Sequence, residues 1–191
     1  MKYLYTIIAF IFLVSCSENK EIDTVREIEL INLVKIENVY YEGVSHEGFT
    51  GKAIERWSNG RLKERYTFKN GILNGLYESF YESGRIFESY FLSGPYDVDI
   101  DDLRFSDIQW GDGEWHMFYR NGQLMTRAIV KNGTLNGYSV NYHENGQLEF
   151  KGLYIDGKRE GEFNFFDEDG KLERSVFYES GIESEYEEVL P

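Results

Sequence analysis

Glycine returns in this chain at a fixed interval. Gly51, Gly75, Gly113, Gly137 and Gly161 are separated by 24, 38, 24 and 24 residues, so the long gap reads as one interval plus a 14-residue insertion. A second glycine follows nine residues after each of these, at Gly60, Gly84, Gly122, Gly146 and Gly170. A third follows at Gly71, Gly94, Gly133, Gly157 and Gly181. Self-similarity at a period of roughly 20–50 residues marks a repeat array, in which each unit buries its apolar face only against its neighbours. Such arrays build extended surfaces more often than a single catalytic pocket.

The segments around the second glycines read Ser58-Asn59-Gly60-Arg61, Glu82-Ser83-Gly84-Arg85, Arg120-Asn121-Gly122-Gln123, Glu144-Asn145-Gly146-Gln147 and Glu168-Asp169-Gly170-Lys171. Asn-Gly and Asp-Gly between apolar runs are the strongest short-range hairpin signal, because they supply positive φ cheaply. The flanking runs are rich in Phe, Tyr, Trp, Val and Ile, which suit a pleated surface. Each repeat is therefore predicted to be a β-hairpin, with longer turns such as Lys131-Asn-Gly-Thr-Leu-Asn-Gly137 leading to the next. The predicted fold is all-β: an antiparallel meander of about five hairpins forming an elongated, twisted, single-layer sheet.

Strand residues alternate faces. Odd offsets from the first glycine carry Phe80, Phe118, Tyr142 and Phe166 at five, a Leu or Ile at eleven, and Phe68, Val130, Tyr154 and Tyr178 at seventeen. That face is expected to be buried. The even offsets two and six carry Tyr77 and Trp115, and Trp57, Tyr81 and Tyr119. On a one-layer ribbon these five rings are the candidate binding residues; the plainer reading is that they stack across strands and stiffen the sheet.

The spacing of glycine, aromatic, glycine and leucine resembles the MORN-variant repeat of bacteria. The lead-in Val39-Tyr40-Tyr41-Glu42-Gly43, followed by Gly48-Phe49-Thr50-Gly51-Lys52, looks like the opening of the YwqK-type branch, whose members often carry an antitoxin label. The resemblance spans about residues 39–184. It implies a β-repeat fold, and it carries over no catalytic residue.

Ahead of the array, residues 1–15 hold one Lys and a run of apolar residues too short to span a bilayer, which takes about 20. They fit a secretory signal peptide. Leu13-Val14-Ser15-Cys16 resembles the bacterial lipobox, which implies cleavage before Cys16 and lipidation of its thiol. Cys16 is the only cysteine, so no internal disulfide exists. Residues 16–38 are then a tether and lead-in, forming either a short helix or a first strand. Residues 185–191 are a tail. The expected location is a lipid-anchored position on the inner or outer membrane of a bacterial cell envelope.

From Cys16 onward the chain carries 19 Lys and Arg against 34 Asp and Glu, a net charge of −15. That argues against nucleic acid, whose binding depends on neutralising phosphates, and against docking of the sheet on anionic lipid. Membrane contact is expected through the anchor alone. His46, His116 and His143 lie in different repeats, with no metal-ligand spacing. Gly48–Lys52 is too short for a phosphate loop, and no Gly-x-Ser-x-Gly elbow occurs. Accordingly no catalytic residue, metal or cofactor is predicted. The acidic insert at 95–112 begins with Asp97, Asp99 and Asp101, as a calcium loop does. It places Asp102 and Ile108 where that loop needs glycine and glutamate. Three readings remain: a non-enzymatic envelope lipoprotein binding another protein, an antitoxin or immunity-type protein neutralising a toxin, and a glycan- or peptidoglycan-binding module. The partner in each is an unknown envelope protein or glycan.

Overall fold

The computed structural model describes residues 26–93 and 111–184. Cys16, the signal segment, most of the insert and the tail lie outside the described residues. The strands are β1 (Glu27–Glu29), β2 (Leu33–Ile36), β3 (Val39–Glu42), β4 (Gly51–Arg56), β5 (Leu62–Lys69), β6 (Ile72–Phe80) and β7 (Ile86–Ser93). Beyond the insert follow β8 (Gly113–Phe118), β9 (Leu124–Lys131), β10 (Thr134–Leu135), β11 (Gly137–Tyr142), β12 (Leu148–Ile155), β13 (Lys158–Phe166), β14 (Leu172–Glu179) and β15 (Ile182–Ser184).

From β4 onward, strands pair antiparallel in chain order, with the short β10 set beside β9 while β11 takes the next place in the ladder, so the repeats form one open meander, as predicted. The ladder runs through the insertion point, where β7 and β8 pair directly through Glu88 with Met117 and Ser89 with His116. At the other end β1 joins β4 in parallel, which decides for a strand over a helix in the lead-in. β2 and β3 form a separate hairpin.

Two kinds of turn alternate. The mid-repeat turn is a three-residue loop: Trp57 N–H donates to Arg61 O and Gly60 N–H to Trp57 O, both at 2.8 Å, with Gly60 at φ +82°. This is a type I turn closed by a glycine bulge. A register shift follows it in every repeat, as between Glu55 and Arg56. The asparagine before the glycine does not take positive φ; its side chain instead accepts from the backbone two residues on, as Asn59 does from Arg61 at 2.9 Å. Positive φ at both residues occurs in the other turns, Asn70-Gly71, Asn132-Gly133, Asp156-Gly157 and Ser180-Gly181. Those turns hold two residues, since Lys69 pairs with Ile72 and Ile155 with Lys158. The longer connection expected there is corrected. The chain turns tightly and runs on as strand through the next repeat's first glycine. A Cβ at Gly75 would stand 2.7 Å from the Thr67 side chain of the neighbouring strand.

The expected burial of odd offsets holds at seventeen, where Phe68, Val130 and Tyr178 are buried, and is corrected on the first strand of each hairpin. Across the hairpin, Gly51 pairs with Phe68 and Ala53 with Tyr66, so partner offsets add to an odd number. Even offsets of the first strand therefore share a face with odd offsets of the second. The buried row contains Ala53, Tyr66, Tyr77, Tyr90, Ala128, Ser139, Phe163 and Val176. Tyr77, placed by sequence on the wet face, is 8 % exposed. The aromatic at five sits past the bulge on the other face, where Phe80 lies beneath the Arg65 guanidinium and Phe118 stacks on His116. It is only half-buried.

Two apolar clusters hold this row. The larger joins Tyr40 and Phe49 of the lead-in to Phe68, Leu73, Tyr66, Tyr77, Tyr90 and Leu92, with Ile28 and Leu33 packed against it. The smaller gathers Phe163, Val176 and Tyr178. Between them the row narrows to Ala128, Ser139 and Gly152.

Candidate binding cleft

The residue six after each first glycine ties its repeat to the next. Trp57 Nε1–H donates to Phe80 O at 3.0 Å, Tyr81 O–H to Phe118 O at 2.8 Å and Tyr119 O–H to Tyr142 O at 2.8 Å. His143 Nε2 continues the series to Phe166 O at 2.8 Å. In each case an aromatic body covers the sheet while its polar tip satisfies a carbonyl exposed by the neighbouring bulge. The turn asparagines add a second row: Asn59 to Glu82 O, Asn121 to Glu144 O and Asn145 to Glu168 O, at 2.7–3.1 Å.

Between the first two steps of this ladder opens a cleft of about 430 Å³, lined by Trp57, Lys63, Glu64, Tyr77, Ser79, Phe80, Tyr81, Glu82, Phe87, Glu88 and Arg120. Lys63 Nζ sits 5.8 Å from the Trp57 ring centre and pairs with Glu55 at 3.0 Å. The Arg120 guanidinium covers Tyr81 at 5.0 Å, and Tyr81 packs on Phe87 at 5.1 Å. Tyr77, which lines the cleft, packs between the buried rings of Tyr66 and Tyr90 at 5.1 and 4.8 Å. Tyr66 O–H donates to Glu64.

Charge shapes the floor. Burial, with Glu64 nearby, raises the Tyr66 and Tyr77 hydroxyls far above their ordinary range, so both stay protonated donors. Burial also raises the Glu88 carboxyl; the adjacent Trp115 and Ser79 groups oppose the rise, and the charge on Glu64 adds to it.

Of the sequence-predicted residues, Trp57, Tyr77 and Tyr81 meet in this cleft, Tyr77 as its buried floor. Trp115 flanks it through Glu88, and Tyr119 stands one repeat further along the ladder. Glu64, Ser79, Phe87, Glu88, Lys63 and Arg120 were missed. Their signal was the repeated Glu at offset thirteen, Glu64 and Glu88, which becomes visible only once the odd pairing rule is known.

Three segments match the MORN repeat variant. They are residues 111–132, 135–156 and 159–180, tandem and in register with the last three repeats described above. Repeats of the MORN type are associated with protein and membrane binding. The cleft lies mainly in the two preceding repeats, which share the glycine pattern and the ladder but fall outside the MORN matches. No curated protein matches the chain.

Proposed function

We propose that this chain is a non-enzymatic binding protein of a cell envelope, held on a membrane by lipid at Cys16 and engaging another protein through its repeat sheet. The observation that carries this reading is the open sheet itself. One face bears the aromatic and acidic cleft, while the other exposes Phe91 at 48 %, Ile129 at 41 % and Tyr138 at 69 %. Exposed apolar rows beside polar rims are the usual mark of an interaction surface. The high excess of acid fits a basic partner by charge complementarity.

The test is a photo-crosslinking residue placed at Arg120 or at Tyr138 in intact cells. A discrete adduct with one protein from either position supports the reading. Adducts absent from both positions, in a protein confirmed to be folded and membrane-associated, contradict it.

A further inference from the structure

The cleft contains a buried acid, Glu88, for which no ion pair is found among the described residues. Glu88 is 9 % exposed, and burying a carboxylate is costly unless it is paired. What acts on it is burial, hydrogen bonds from Trp115 and Ser79, and the charge of a second carboxylate, Glu64. Ser79, its partner across the strand pair, is also buried beside it. The nearby cations are already engaged by other groups, Lys63 by Glu55 at 3.0 Å, Glu64 at 3.9 Å and the Trp57 ring, and Arg120 by the Tyr81 ring.

We infer that this cleft receives a lysine or arginine side chain from the partner protein, with Glu88 as its counter-ion. The inference rests on the binding-module reading above and names its contact. A volume of about 430 Å³ suits one long side chain, at the lower end of the roughly 300–1,000 Å³ typical of ligand pockets. The apolar side chains of Phe80 and Phe87 in the lining suit the methylene stem of a long organic cation better than a metal ion. Consistently, the described residues hold no group of three or more metal-ligating side chains. A sugar would need open ring faces, and the rings of Trp57 and Tyr81 are already covered by cations. Its lining carries three carboxylates, Glu64, Glu82 and Glu88, against the two cations Lys63 and Arg120, and a neutral glycan does not offset that excess.

The test uses the folded chain and a hexalysine peptide as probe, titrated by tryptophan fluorescence in about 0.15 M salt, where exposed charges are largely screened. Saturable binding is expected, weakened at least about tenfold in Glu88→Gln, as when one partner of a buried charge pair is removed. Glu183→Gln, an exposed acid on β15, serves as the control and is expected to bind normally. Equal binding by wild type and Glu88→Gln overturns the inference, as does equal loss in both variants, which would mean diffuse acidity. Spermidine binding as tightly as the peptide would also overturn it, assigning the cleft to free polyamines. A crosslinked partner in cells together with a null titration would defeat this inference and leave the binding-module reading intact. Circular dichroism of each variant confirms the fold, and Glu64→Gln gives a second, independent removal of acid from the same cleft.

Discussion

The Tyr81 hydroxyl donates to the carbonyl of Phe118 at 2.8 Å, joining two repeats that stand 37 residues apart because of the insert. The same bond joins repeats of regular length, from Tyr119 to Tyr142. The insertion is therefore absorbed without disturbing either the ladder or the pairing of β7 with β8.

Removing that hydroxyl isolates its contribution. Tyr81→Phe keeps the ring against Phe87 but leaves the Phe118 carbonyl without its donor, and is expected to destabilise by about 1 kcal/mol. Tyr138→Phe, at a site 69 % exposed, is expected to change stability by less than about 0.5 kcal/mol. Urea unfolding of the two variants measures the difference; equal midpoints would remove the ladder from the stability account.

Gly152 faces the ring of Phe163 so closely that an added Cβ would stand 2.4 Å from it. Phe163 is fully buried and stacks edge-on against Tyr154 and Tyr178, so the ring has little room to retreat. Gly152→Ala is expected to cost about 1–3 kcal/mol by overpacking. A melting temperature equal to wild type would show that Phe163 does not cross the row at that point.

The mid-repeat turn gives a backbone test. Gly146 sits at φ +87°, where a β-branched residue is strained by about 1–3 kcal/mol. Gly146→Val should therefore lower the melting temperature well below that of Glu149→Gln. Equal shifts would contradict the bulge-closed turn.

These sites also show what the sequence made legible. The glycine spacing located the five repeat hairpins and the order of their strands, because turn chemistry is local; it did not show the β2–β3 hairpin. On the first strands the buried face was misread because its parity depends on pairing across the turn, through partners such as Ala53 and Tyr66, and a single strand does not encode that. Tyr77 consequently moved from a surface candidate to the floor of the cleft. The cleft itself was half legible. Its rings stood out by type, whereas Glu88 is one of 34 acids and acquires meaning only from its burial in the cleft.

Acylation of Cys16 is tested separately. Cells fed a clickable fatty acid are expected to label the wild-type chain, and Cys16→Ala is expected to lose both the label and membrane association. An unlabelled wild type would rule out the anchor.

Glu88 links stability to pH in a defined direction. Its folded-state carboxyl is raised above the ordinary value of 4.5, so the folded state holds its proton more tightly than the unfolded chain. Stability from this group is present at low pH and lost as pH rises from the ordinary carboxylate range through the raised value. Glu88→Gln should therefore melt higher than wild type at pH 7, with the gap closing in acid. A lower melting temperature at pH 7 would mean that the carboxylate is paired in the folded protein.

The most direct measurement combines that melt with function in one variant. Glu88→Gln carrying the photo-crosslinker at Arg120 is melted at pH 7 and crosslinked in intact cells alongside the parent protein. A residue kept for recognition at the expense of stability gives a higher melting temperature and a lost or strongly reduced adduct. A stabilised variant that still forms the full adduct would contradict the account, because the buried carboxylate would then play no part in binding.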